Sequence, residues 1–173
     1  LESLLLKDAV ELVCTFIEKK QSVGVSMQAL VELPAVLLVE KNSKLTSAEQ
    51  LWKRDKIDET LICLPAGEQL TRSFLERLEE LEVEWFPGIE ASSVDLVETY
   101  VARGLGIGVA VAVPKKPLNP NVRVLPLPGF PPAVIGALWR GKTTPLLQAC
   151  LAEAQVRARA LLEGATPSGT RTP

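Results

Sequence analysis

Runs of apolar residues alternate with amphipathic stretches along most of the chain, the pattern of strands exchanging with helices. Leu33 to Val39, entered at Pro34, is continuously apolar, as expected of a strand covered on both faces. Thr60 to Leu64, Ile107 to Val113, Val122 to Leu127 and Val134 to Trp139 read as further strands, the last of them central because it is nearly all apolar. Val23 to Val25 and Val83 to Phe86 read as short strands, and Glu2 to Leu6 as another at the start. Helical spacing appears at Leu70, Phe74, Leu78 and Leu81, predicting a helix over Gln69 to Leu81. Ser92 with Asp95 has capping-box spacing and opens a helix that ends at Arg103 and Gly104. Thr46 with Glu49 repeats that spacing before a short helix through Trp52, and Asp8 with Glu11 repeats it before a helix predicted over Ala9 to Lys19. The stripe Val10, Val13, Cys14 and Ile17, widened by Leu12 and Phe16, would be the buried face of that first helix. Thr143 or Thr144 caps the last helix, Pro145 suits its first turn, and Leu146, Leu147, Cys150, Leu151, Ala154 and Ala158 carry its stripe towards Leu162 and a stop at Gly164. The tail from Ala165 has no apolar anchor and is expected to be disordered.

Strands alternating with helices predict an α/β fold, in which ligands sit beyond the carboxyl ends of the strands. Length and composition agree. The 173 residues suffice for one domain or two small lobes, and 47% hydrophobic against 23% charged residues excludes disordered and fibrous classes. Nineteen basic against 21 acidic residues give a net charge of −2, which lacks the excess that a phosphate-contacting module carries. No apolar run is long enough to span a bilayer, and Lys7 and Asp8 interrupt the start where a signal peptide would continue. Cys14, Cys63 and Cys150 are widely spaced within apolar runs and read as buried thiols in a reducing, cytoplasmic setting. Histidine is absent, which removes the commonest general base and metal ligand, so serine and cysteine triads are excluded.

Binding chemistry remains. In Leu64 to Arg72 a strand runs through a glycine turn into a helix, where unpaired backbone amides and the helix dipole favour an anion. Gly67, Gln69, Leu70, Thr71 and Arg72 are the candidate contacts there, and an ordinary solvated helix start with Arg72 on the surface fits the same residues. Ser92 and Ser93 open a second helix whose hydroxyls can cap it and face a cleft, and Ser26 with Met27 reads as a strand end on an opposite wall. The Gly104, Gly106, Gly108 spacing follows a helix and enters a strand, the reverse of a dinucleotide loop. Glu76, Glu79, Glu80, Glu82 and Glu84 with Arg77 interleaved read as a solvated face.

The stretch from Ser92 to Val109, a helix followed by Gly104-Leu-Gly-Ile and a strand closed by Pro114, resembles the LysR-type transcriptional regulators. The likeness extends upstream through Leu33 to Glu40 and Leu61 to Phe74, and covers roughly residues 9 to 163. It implies a periplasmic-binding-protein-like (type 2) fold of two lobes, each a mixed sheet flanked by helices, with a small effector held between them and no cofactor. Residues 1–57 and 128–163 would form the first lobe and 58–127 the second. The residues matching the family's effector contacts are Gly67 to Arg72, Ser92, Ser93, Ser26 and Met27. The likeness also implies a homodimer or homotetramer pairing the helices at 9–19 and 92–103. The family's winged helix-turn-helix, which carries DNA binding, and the first strand and helix of its first lobe have no counterpart ahead of Leu1. The implied function is effector sensing for transcription, without catalysis. A periplasmic solute-binding protein is the alternative, and enzymes of related fold, such as prephenate dehydratase or porphobilinogen deaminase, lack support because no catalytic group is present.

Overall fold

The computed structural model describes residues 5, 7, 9–17 and 23–163. Among these the strands are β1 (Leu12–Phe16), β2 (Val25–Leu33), β3 (Ala35–Glu40), β4 (Leu61–Cys63), β5 (Pro87–Glu90), β6 (Ile107–Val111), β7 (Val122–Pro126) and β8 (Ala133–Arg140). The helices are α1 (Glu49–Trp52), α2 (Gln69–Glu80), α3 (Val94–Ala102) and α4 (Pro145–Glu163). They form a three-stranded sheet ordered β1-β8-β2 and a five-stranded sheet ordered β5-β4-β6-β3-β7. The described residues fall into two compact units, one holding those up to Glu32, Val113–Lys116 and those from Val134, the other Leu33–Ala112 and Pro117–Ala133.

The five-stranded sheet is mixed. β4 runs parallel to both β5 and β6, whereas β3 pairs antiparallel with β6 on one side and β7 on the other. Ala35 to Val39 are all buried because β3 is bonded along both edges inside a covered sheet, as the unbroken apolar run predicts. That pairing corrects the lobe boundaries. Residues 33–57 belong with the second unit because β3 hydrogen-bonds into its sheet; residues 128–133 also fall in the second unit, and 113–116 in the first.

Helix α2 buries Leu70, Phe74 and Leu78 on the predicted stripe, and α3 buries Val97 and Val101. The latter helix presses onto Gly108 so closely that a Cβ there would sit 2.5 Å from Val97 Cγ1, which gives the glycine a packing role. Val83 to Phe86 is not a strand. The indole of Trp85 turns inward and its Nε1 donates to Glu59 O at 2.8 Å, and the edge strand begins only at Pro87, just past the end of the predicted one. Around Trp85, four of the chain's aromatic rings pack in a closed cycle: Trp52 against Trp85 (6.2 Å between centroids) and Phe130 (6.0 Å), Phe74 against Trp85 (6.3 Å) and Phe130 (5.3 Å).

In the first unit, β8 is the central strand, as its composition predicts. Leu12 to Phe16, by contrast, is a strand where a helix was predicted, and it pairs antiparallel with β8 from Leu12↔Trp139 to Phe16↔Ile135. A run of leucine, valine, cysteine, threonine, phenylalanine and isoleucine satisfies a period of two as well as one of 3.6, and the neighbouring strand decides between them. Alternation then assigns the faces. Val13, Ile17 and Leu138 join Leu5 in one cluster, while Leu12 and Trp139 join Ala137, Leu147 and Leu151 of α4 in the other. With no helix over residues 12–16, the expected pairing of a 9–19 helix with another subunit is removed. Only Cys63 is buried. Cys14 and Cys150 are exposed, since β1 turns Cys14 outward and α4 directs Leu147 and Leu151, rather than Cys150, at the sheet.

Helix ends follow local chemistry. Thr144 caps α4 through Oγ1, which accepts from Leu147 N at 3.2 Å, with Pro145 as the first helical residue. The predicted Thr46 cap fails: α1 starts from Ala48, and Thr46 N donates to Gln50 Oε1 instead. The predicted Asp8 cap, the Lys19 helix end, the Gly164 stop and the tail lie outside the described residues. So does most of the predicted Glu2 to Leu6 strand, of which Leu5 is helical and fully buried.

Candidate functional site

Two helix starts meet at one edge of the five-stranded sheet. Because β4 and β5 are parallel and adjacent, both end at the same edge, and Ala91 N donates to Cys63 O at 2.8 Å just beyond them. Helix α2 follows β4 and α3 follows β5. The chain steps outward from β4 to β5 and then returns across β4 to β6, so the connection reverses at this point, where α/β sheets open a crevice for ligands.

The α2 start is open. Its N-cap is Glu68, in extended conformation with no side-chain capping bond, so the amides of Gln69, Leu70 and Thr71 stand in the first turn without an intrahelical acceptor. A Cβ added at Gly67 would meet nothing within 4 Å, so the turn has space in front of it. Arg72 folds back over this turn, its Nη2 donating to Gly67 O at 2.7 Å. The guanidinium thereby places positive charge beside amides whose dipole already favours an anion.

The remaining candidates divide. Leu70 and Thr71 are buried, and Thr71 Oγ1 donates to Leu64 O at 2.9 Å, so both offer only backbone amides rather than side-chain contacts. Gln69 Nε2 donates to Ser73 Oγ at 3.0 Å, leaving Oε1 buried without a partner. Ser93, not Ser92, is the N-cap of α3, with Oγ accepting from Leu96 N at 3.2 Å, because only its side chain lies three residues before that amide. Ser92 is exposed beside it. Ser26 and Met27 are the second and third residues of the nine-residue β2 in the first unit, at the beginning of a strand rather than its carboxyl end. The structure therefore brings Gly67 to Arg72 together with Ser92 and Ser93, and it removes the strand-end argument for Ser26 and Met27.

Two supports went unread in the sequence. Buried Glu98 of α3 accepts from Asn119 N at 2.5 Å and holds the helix against the connector before β7. Arg123 donates to Ser43 O at 2.7 Å and also to Leu45 O, fixing the loop after β3. Beneath the site, burial pushes the Cys63 thiol above its ordinary pKa, with the Glu90 carboxylate adding to the rise, and together they outweigh the neighbouring Thr71 hydroxyl, which acts the other way. A thiol-specific chromogenic reagent near neutral pH should therefore label Cys14 and Cys150 promptly and Cys63 only on unfolding. Since the folded state holds this proton more tightly, its contribution to stability is complete below the ordinary thiol pKa of about 8.5 and declines as pH rises past it. Prompt labelling of all three thiols would contradict the buried placement.

Among the described residues no group of three or more metal-ligating side chains occurs, and no helix is long and apolar enough to cross a membrane. The family model of the LysR substrate binding domain matches residues 1–159. The chain belongs to that family. A search of curated proteins returned no match. Among solved structures, the LysR substrate-binding domain described here is similar to the Synechocystis PCC6803 CcmR regulatory domain in complex with 2-PG, with a TM-score of 0.74, 15% identity, and coverage of 91% of this chain and 78% of that one. It is similar to HinK, a LysR family transcriptional regulator from Pseudomonas aeruginosa, with a TM-score of 0.72, 15% identity, and coverage of 90% and 55%. The effector binding domain of a BenM variant gives a TM-score of 0.71, 18% identity, and coverage of 97% and 80%. The chain thus spans about half the length of HinK. Its fold is the periplasmic-binding-protein-like type 2 α/β fold of LysR substrate-binding domains.

Proposed function

We propose that this domain senses a small anionic metabolite through the neighbouring starts of α2 and α3, and that occupancy controls DNA engagement and transcription by a separate part of a bacterial LysR-type regulator. The module is non-catalytic and cofactor-free, and works in the cytoplasm within a homo-oligomer. One observation carries the anionic assignment. An uncapped helix start at Gly67 to Thr71, with Arg72 folded over it, stands beside a second helix start at the reversal point of a mixed sheet. The CcmR domain, of similar fold, was solved with 2-PG. For such a ligand to act as a signal, its affinity must differ between two arrangements of the regulator.

The test is a thermal-shift screen of small carboxylates and phosphate esters, 2-PG included, followed by calorimetric titration of the best stabiliser into the wild type and Arg72→Ala. Loss of a charge-assisted hydrogen bond should weaken binding by about 1 to 3 kcal/mol. Unchanged affinity in Arg72→Ala would remove the arginine from the site. A screen in which cationic or neutral compounds stabilise the domain and anions do not would overturn the anionic assignment.

A further inference from the structure

The glutamate run on and after α2 borders a hollow. A recess of about 760 Å³ in the second unit is lined by apolar side chains, Leu75 and Leu78 from α2 with Val83, Trp85 and Phe86 from the connector to β5. Its carboxylates come from the same two segments: Glu76 and Glu79 from the helix, Glu82 and Glu84 from the connector. Among the described residues none of these four carboxylates is in an ion pair, and the nearby Arg77 is committed to Glu80 at 2.7 Å. Arg72 is the single cation in the lining, so the recess is strongly negative. Phe86 is 75% exposed. Glu82 holds the turn with a φ of 56°, a left-handed conformation uncommon outside glycine, asparagine and aspartate.

A solvated acidic face has no need of an exposed phenylalanine in an apolar lining. Apolar recesses rimmed by charge are where partners dock, and the sign of the rim chooses the partner. The lining is made of helix and connector side chains rather than of the backbone edge of β5, which suits a helix laid in a groove over strand addition. From Arg72 to Glu79 the α2 wall extends for about two helical turns, roughly 10 Å. Among the described residues this chain supplies no such helix. By sequence α1 and α2 each carry a net charge of −1, α3 carries −2 and α4 is neutral, so none of the described helices is basic.

We propose that the recess receives a basic amphipathic helix of a different protein, whose apolar stripe covers Phe86, Val83 and Leu75 while its lysines or arginines meet Glu76, Glu79, Glu82 and Glu84. This surface borders the effector site and shares Arg72 with it, but the residues that test it, Phe86, Glu76 and Glu79, lie outside that site, so either reading can fail alone.

The experiment uses a fluorescein-labelled synthetic peptide of about four helical turns, built from leucine and lysine at amphipathic spacing. Its anisotropy is followed on titration with the full chain. Controls are a scrambled peptide of the same composition and a glutamate-for-lysine peptide. Micromolar binding is expected, falling about tenfold in Phe86→Ala and in the double variant Glu76→Gln/Glu79→Gln, weakening with salt, and absent for both control peptides. All substituted side chains are exposed, so circular dichroism should show unchanged folding. Equal binding by the scrambled peptide, or equal binding to the variants, overturns the proposal. So does sedimentation showing that the chain alone self-associates and that Phe86→Ala separates it, which would mean that a second copy covers the groove.

Discussion

Phe74→Ala is expected to destabilise the domain by about 3 to 5 kcal/mol, the range for emptying a fully buried aromatic site. Phe74 is 2% exposed and stacks on Phe130 at 5.3 Å with an interplanar angle of 25°, while its edge meets Trp85 at 6.3 Å. Removing the ring breaks two of the four contacts in the aromatic cycle. The cavity it leaves is walled by Trp85 and Phe130, large and planar groups that cannot collapse into the space without leaving their other partners. Near-ultraviolet circular dichroism should lose intensity, because Trp52 and Trp85 both sit in that cycle. The urea midpoint should fall with the slope unchanged. Phe86→Ala is the comparison: its ring lies mostly in water, and its effect on stability should stay within about 0.5 kcal/mol. If Phe74→Ala costs no more than Phe86→Ala, the cycle does not organise the second unit.

The same helix shows what could be read in advance. The stripe of Leu70, Phe74 and Leu78 was legible because one buried face of a helix repeats at three and four residues over three turns, long enough to outweigh noise. The open amide cluster at its start was legible because strand, glycine turn and helix occur consecutively, which makes it a local property of Leu64 to Arg72. Two features were not local. That Phe74 would meet Phe130, and Trp85 would meet Trp52, depends on sheet order, which leaves no trace in the spacing of these residues. That Thr71 would spend its hydroxyl on Leu64 O depends on how the helix sits on β4, so the side chain of a candidate contact became a buried tie.

At the other end, Leu12 to Phe16 shows the opposite failure. Val13, Thr15 and Phe16 favour a strand, but the same run fits a helical stripe when read with Val10 and Ile17, and only the partner strand β8 resolves the ambiguity. The lobe boundary failed for a related reason. Chain order placed residues 33–57 beside the first lobe, yet β3 is bonded on both edges to strands that come more than 60 residues later. The consequence for the site is favourable. With β3 in the second unit, the sheet that carries both helix starts has five strands and its reversal point lies at β4, inside the sheet rather than at a rim.

The glycine at position 106 bears the second large effect. Its φ is +157°, in a region that essentially only glycine occupies, and it stands immediately before β6. A Cβ there would lie 2.1 Å from Thr60 O, far inside contact distance. The obstructing atom is backbone, and it is engaged: Thr60 O accepts from Ile107 N at 2.9 Å at the point where β6 begins to pair with β4. A side chain could rotate away, but this carbonyl can yield only if β4 and β6 separate, which would open the sheet at the edge where both strands begin. Gly106→Ala should therefore cost about 3 kcal/mol or more, combining overpacking with a conformation alanine does not tolerate. Gly104→Ala is the control that isolates the backbone term. Its φ is +72°, an ordinary left-handed helix end, and its added Cβ would come no closer than 3.5 Å to Glu40 Oε2. That variant should lose roughly 1 to 2 kcal/mol. Urea unfolding of the two side by side decides the matter: equal losses would mean that the Thr60 contact relaxes freely and that β4 and β6 are not joined rigidly where they begin.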